Sequence, residues 1–238
     1  MIVKEYENKF ELIRQHDHGL LSGEMAFHSG KLPFITADFR MILTASLHDI
    51  SWISADNDSS HPLYQFHDYP LPARLALYKR GIDQMETTDP YVALLTSLHY
   101  TAFFQPGNET IIDQFLEEEM TRQVRLKKMF PNENIELALQ HLKMWDNLSL
   151  YVCLNKAGTT KKNEHPWYKN GIKGVTASGN EIMIHGQWKD EQTVTFSPFP
   201  FKRTWSTVLT CYECQKPFHG DHPMQKKIQR TITFTPDE

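Results

Sequence analysis

The sequence predicts a mainly α protein: a helical body entered through a short N-terminal hairpin and followed by a small β-rich C-terminal unit. Three observations carry this expectation. From His16 to about Leu154 the apolar residues recur at helical spacing. Beyond residue 165 the pattern changes to short strands punctuated by Gly, Asn and Pro. Charge shifts at the same place: residues 1–160 hold 14 Lys/Arg and 21 Asp/Glu, whereas residues 161–238 hold 11 and 8. The polar segment 156–163 reads as a linker, which places a helical domain over 1–160 and a β-rich subdomain over 161–238.

The elements follow in order. Ile2, Lys4 and Tyr6 share one strand face; after Asn8-Lys9, so do Phe10 and Leu12, which suggests a hairpin. Helices are expected near 18–29, 35–49, 71–86, 90–104, 108–129 and 133–154. Asp89-Pro90 supplies an N-cap followed by a proline in the first turn. Asn108 precedes a periodic segment with Ile111, Ile112 and Phe115. Strands are expected near 172–177, 180–186, 192–196, 204–213 and 227–235.

Composition narrows the function classes. The chain has 238 residues, 40% hydrophobic and 23% charged, which is globular rather than disordered. No apolar run reaches the roughly 18–20 residues of a membrane span. The opening residues carry Lys4, Glu5, Glu7 and Lys9, unlike a signal peptide. Three cysteines are too few for a disulfide framework, so a cytoplasmic setting is expected. A net charge of -4 argues against nucleic-acid binding through phosphate contacts. Twelve histidines stand out.

Several of those histidines fall on apolar helix faces. His18 forms a stripe with Leu21 and Met25, and His99 shares a face with Val92 and Leu95. In the pair His48-Asp49, the carboxylate shares a face with Ile42, Ala45 and Trp52. Asp146 lies in the stripe Leu139, Leu142, Leu150 and Cys153. A buried carboxylate is costly unless it is paired or binds a cation. Imidazole with carboxylate suits Fe, Mn or Zn, and the carboxylates also admit Mg, so one or two divalent ions are expected. A lone inward histidine is more often a satisfied core residue, and Asp146 has Arg14, Arg74 and Arg80 as alternative partners.

The order of these residues resembles the HD-domain superfamily. His18 is followed by Ser22, Gly23 and Ala26; His48-Asp49 comes 30 residues later; and the run Leu142-Lys143-Met144-Trp145-Asp146-Asn147-Leu148-Ser149 resembles the closing Asp helix. The resemblance covers residues 16 to about 154. It implies an HD-like helical bundle with His18, His48, Asp49 and Asp146 as ligands, Asp49 being able to bridge two metals. His99 and His67 resemble the additional histidines of two-metal branches. Many HD phosphohydrolases carry Lys three residues after the motif Asp; here that position is Trp52. A closer similarity is to an uncharacterised family found largely in Bacillus-like bacteria. It rests on Gln15-His16-Asp17-His18-Gly19-Leu20-Leu21-Ser22-Gly23, on His48-Asp49-Ile50-Ser51-Trp52, on the run from Asp89 to His99, and on Pro198-Phe199-Pro200-Phe201.

The resemblance implies metal-dependent hydrolysis of a small, anionic phosphate ester or nucleotide-like compound, with His99 or His16 as acid or base. A di-iron oxygenase and a non-catalytic ligand-binding or structural protein are the alternatives, and oligomerisation is left open. Other signals are weaker. Cys211 and Cys214 with His219 and His222 have zinc-type ligands but also read as strand residues. Trp52, Asp56 and Asp58 read either as a pocket mouth or as a solvated turn. Arg74, Lys79 and Arg80 read as an anion-attracting face or a wet one. Glu117 to Glu119 with Arg122 and Arg125 reads as structural ion pairing.

Overall fold

The computed structural model describes residues 1–57, 64–216 and 226–237. Its helices are α1 (Gln15–His28), α2 (Phe39–Leu47), α3 (Ile53–Asp56), α4 (Leu71–Thr88), α5 (Pro90–Thr101), α6 (Thr110–Lys127) and α7 (Ile135–Leu154). Six lie close to where periodicity puts them, and the single turn α3 lies where a loop is expected. Their starts have local causes. Asp38 accepts from Met41 N, Asp89 from Tyr91 N ahead of Pro90, and Asn134 from Leu137 N, each satisfying a first-turn donor. The strands also match: β1 (Ile2–Glu5), β2 (Lys9–Ile13), β3 (Ile172–Val175), β4 (Glu181–Trp188), β5 (Thr193–Ser197), β6 (Trp205–Gln215) and β7 (Lys226–Pro236).

The assembly of these pieces corrects the expected class. The protein is neither all-α nor a mainly α, HD-like bundle: 48% is helix and 23% is strand, and the strands form one curled, mixed sheet. Its order is β1-β2-β6-β7-β5-β4-β3. The N-terminal hairpin is therefore not a separate entry piece. It forms one end of the sheet, with β2 antiparallel to β6 in the register Phe10↔Cys214 and Leu12↔Tyr212. β5 and β7 pair in parallel; the other neighbours are antiparallel. Periodicity reports faces and not partners, so a pairing across about two hundred residues leaves no local trace.

A buried ion cluster ties the hairpin into the sheet. Lys4 sits opposite Glu11 and its ammonium lies 2.7 Å from that carboxylate. Arg230 of β7 donates to the same carboxylate, with Nε at 2.7 Å. Glu11 is fully buried; burial pushes its pKa up, but Lys4 and Arg230 outweigh it and hold it below the usual carboxylate range.

Helix α7 links the layers. It packs against α1, α2 and α5 on one side and against β1 and β3 on the other. It is apolar nearly all round, as a helix buried on most sides must be. Helices α1 and α2 approach closely because Gly23 faces Ser46: a Cβ on Gly23 would stand 1.8 Å from Ser46 Oγ. The acidic run on α6 is structural, as expected, although its partners lie mainly on a neighbour. Arg122 pairs with Glu119 and reaches Asp83 and Glu86 of α4. Among the described residues no helix is long and apolar enough to cross a membrane.

Candidate metal centre

Four elements deliver the candidate ligands to one buried point. His18 comes from the first turns of α1, His99 from α5 and Asp146 from the middle of α7. Helix α2 ends at Leu47, so His48 is its C-cap and Asp49 (φ -108, ψ 19) opens a 3-10 turn over Ile50–Trp52. This break matters because adjacent residues on a continuous helix point about 100° apart. All five side chains are nearly inaccessible: His18 1%, His48 1%, His99 2%, Asp49 6% and Asp146 6% exposed.

The donor atoms converge. His18 Nε2 lies 3.0 Å from Asp49 Oδ2 and 3.6 Å from Asp146 Oδ1. His48 Nε2 lies 3.7 Å from Asp49 Oδ2 and 3.4 Å from Asp146 Oδ1. Ligands held about 2.1 Å from a common ion stand roughly 3.0–3.5 Å apart at tetrahedral or octahedral angles. Two of these four distances fall in that range, and the other two, 3.6 and 3.7 Å, lie just above it. His99 Nε2 approaches the other carboxylate oxygen, Asp146 Oδ2, at 3.6 Å. Two triads, His18/His48/Asp49 and His48/His99/Asp146, could each hold a metal ion, and they share His48.

Hydrogen bonds on the far side of the rings set their tautomers. His48 Nδ1 lies 2.8 Å from the Ala45 carbonyl, which can only accept, so Nδ1 carries the proton. Ser149 Oγ donates to the Asp146 carbonyl at 2.8 Å and so accepts from His18 Nδ1 at 2.9 Å. Both rings therefore turn Nε2 toward the two carboxylates: His18 Nε2 lies within hydrogen-bond distance of Asp49 Oδ2, and His48 Nε2 has no hydrogen-bond partner. Two carboxylates and two Nε2 atoms in a dry space need positive charge, which a proton on the ring or a bound metal ion supplies, and Nδ1 committed to an outer acceptor is the usual pattern behind metal-bound histidine.

The charges respond as this crowding requires. Burial pushes the His48 imidazolium down, but Asp49 and Asp146 overcome it and raise the pKa to about 9. Burial would raise Asp49 and Asp146; the histidines around them outweigh it, holding Asp49 well below the usual carboxylate range and lowering Asp146. His99 falls to about 4, chiefly through burial. Asp49 Oδ1 faces the Tyr100 hydroxyl at 3.1 Å, so Asp49 offers the cluster one oxygen, Oδ2, which also accepts from Gln15 at 3.3 Å.

A cavity of about 440 Å³ connects this point to the surface. His99 and Asp146 line it, with Arg74 and Lys143 as cations and Phe66, Phe103 and Trp167 among its aromatic walls. His67 is on this wall, not at the convergence point: its side chain is about half exposed and lies beside Asp68. His16 is half-buried at the start of α1, with its pKa lowered by burial, and does not line this cavity. None of the arginines suggested as partners for Asp146 reaches it. Arg14 stacks on Tyr212, Arg74 donates to the His67 carbonyl, and Arg80 donates to Ser54.

The remaining candidates resolve as follows. Trp52 is buried among Tyr69 and Tyr78. Asp56 is buried too; it accepts from Gln15 N at 2.6 Å and pairs with the Met1 amino group at 2.7 Å. Neither lines the cavity at the metal centre, and Asp58 lies outside the described residues. Cys211 and Cys214 are free and buried in different apolar clusters; His219 and His222 lie outside the described residues. Lys79 pairs with Glu118. Lys143, Ser149, Tyr100 and Trp167 escaped the sequence reading. Lys143 had a usable signal, one turn before Asp146 on the same helix. Trp167 had none, since it comes from a 3-10 turn beyond the helical body.

Comparison with known proteins gives a family without an activity. No curated protein and no solved structure matches the chain. The HD resemblance therefore rests on the motif residues alone, whereas the similarity to an uncharacterised family is supported. The family model described as "Protein of unknown function (DUF3891)" matches residues 1–214, and the chain belongs to that family.

Proposed function

We propose that the cluster holds one divalent cation and that the protein is a metal-dependent hydrolase of a small phosphate ester. The observation that carries this reading is the locking of His18 and His48, whose Nδ1 atoms are committed outward so that both Nε2 atoms face the Asp49 and Asp146 carboxylates. His18, His48, Asp49 and Asp146 are the ligands. An imidazole nitrogen has one lone pair, so His48 cannot serve two ions. With His48 committed, the described residues leave only His99 and Asp146 Oδ2 for a second ion, which disfavours the di-iron alternative. Two imidazoles favour Fe, Mn or Zn over Mg.

A bound cation of this kind lowers the pKa of a water ligand and polarises a phosphoryl oxygen. The chain supplies the rest. His99 stands between the ligands and the cavity with its Nδ1 unpartnered, placed to take or deliver a proton. Arg74 and Lys143 put positive charge on the cavity wall, where it draws in an anion. They compensate for Trp52, which occupies the position where the resemblance leads one to expect a lysine. His16 does not line the cavity, so proton transfer falls to His99.

Elemental analysis of protein purified without chelator tests the centre. One equivalent of Fe, Mn or Zn is expected, and loss of the ion in both His48→Ala and Asp49→Ala. Protein without metal, whose melting temperature none of Fe, Mn, Zn or Mg alters, would sink the reading. A phosphoesterase screen with each metal tests the reaction. Turnover with no metal added back would refute metal dependence, and none with any metal would refute hydrolysis.

A further inference from the structure

The cavity at the metal centre has a neighbour. A second cavity, of about 400 Å³, lies between α7 and the β3–β4 hairpin. On the helix side it is lined by Gln140, Lys143, Met144 and Asn147, which share one face. Val175, Ile182 and Met183 line the opposite side with Gly174, and Lys173 and Glu181, on the same strands, are its charged members. Lys143 and Asn147 belong to both cavities, so the two meet along α7. From Asn147 to Gln140 the groove follows α7 for roughly 10 Å, at about 1.5 Å per residue.

The walls of the two cavities differ. Phe66, Tyr78, Phe103, Phe104 and Trp167 crowd the metal-side cavity. No aromatic side chain lines the groove. Flat rings such as nucleobases are held by stacking on aromatic side chains. Methionine and aliphatic side chains instead fit a flexible chain, because they repack around it. Lys143 stands at the junction of the two cavities, where its ammonium can meet an anionic head while the groove takes what the head carries.

We propose that the groove between α7 and the β3–β4 hairpin binds an aliphatic chain, so that the site takes phosphate monoesters of unbranched alkyl alcohols in preference to nucleotides. The phosphate end of this assignment rests on the hydrolase reading above; the chain end rests on the groove. The head lies by His99 and Asp146, and the chain passes Lys143 and Asn147 toward Gln140.

Calorimetric titration of the full chain with alkylphosphonates from methyl to octyl tests this without requiring turnover. Affinity should rise with length by up to about fourfold per fully buried methylene. Met183 is 41% exposed, so substituting it spares the core. Met183→Asp should flatten the length dependence while leaving methylphosphonate affinity and metal content as in the wild type; Met183→Leu should preserve it. Affinity independent of length, a slope unchanged by Met183→Asp, or a nucleoside monophosphate displacing octylphosphonate at lower concentration than its own Kd would each overturn the assignment. The two readings fail separately. Length dependence without metal or turnover would leave the groove and remove the hydrolase. Metal and turnover without length dependence would do the reverse.

Discussion

Ser149 shows how much of the centre depends on a residue that holds no ion. Its hydroxyl accepts a hydrogen bond from His18 Nδ1 and donates one to the Asp146 carbonyl, coupling two ligands from different helices. Ser149→Ala should weaken metal binding about 10–100-fold, the usual cost of losing such a partner; equilibrium dialysis measures it, and an unchanged Kd would refute the coupling. His141 is a different case on the same helix. It is fully buried against Trp145, neither ring nitrogen has a partner, and burial lowers its pKa to about 4. Above the unfolded value near 6.5 it is neutral in both states and costs nothing. As pH falls from there toward 4 the unfolded chain gains a proton the fold refuses, so stability is lost across that window, by about 2–3 kcal/mol. His141→Phe should flatten that part of the stability profile in urea titrations at stepped pH.

Among the elements, the approach of α1 to α2 is what brings His18 to His48 and Asp49. Gly23 permits it, because any Cβ there would strike Ser46. Gly23→Ala should cost about 1–3 kcal/mol through overpacking and should also lose metal. Adding Ser46→Gly should recover metal binding even though a second helix glycine limits the recovered stability. Thermal melts with and without added metal read both effects. The helices were legible here because each buries a stripe with a 3.6-residue period. The end of α2 was not: the pattern runs on to residue 49, whereas the helix stops at Leu47 so that His48 and Asp49 can both turn inward.

Over the whole molecule, the sheet closes the two ends of the chain onto one another. Glu11 is its fastener, shared between Lys4 on β1 and Arg230 on β7. Removing one partner of a buried pair leaves the other charge uncompensated, so Glu11→Ala should cost about 3–5 kcal/mol. Denaturant unfolding measures this, and a loss below 1 kcal/mol would show the cluster to be dispensable. The sheet also shapes the site. With α7 pinned between helices and strands, one side of the helix presents Asp146 to the metal centre while the neighbouring face opens on the β3–β4 groove.

Helical phase was enough to place His18, Asp49, His99 and Asp146 on inward faces, because burial of a periodic stripe dictates where each side chain points; His48 came only from the motif resemblance. Alternation and turn residues marked the strands and the hairpin. What phase cannot carry is the partner of each face. The pairing of β2 with β6, the half-exposed placement of His67, the burial of Trp52 and the alignment of Lys143 with two cavities all depend on contacts between distant segments. So does the decisive feature of the centre: which nitrogen of each imidazole is free is set by Ala45 and Ser149, and only the packed structure brings Ser149 to His18.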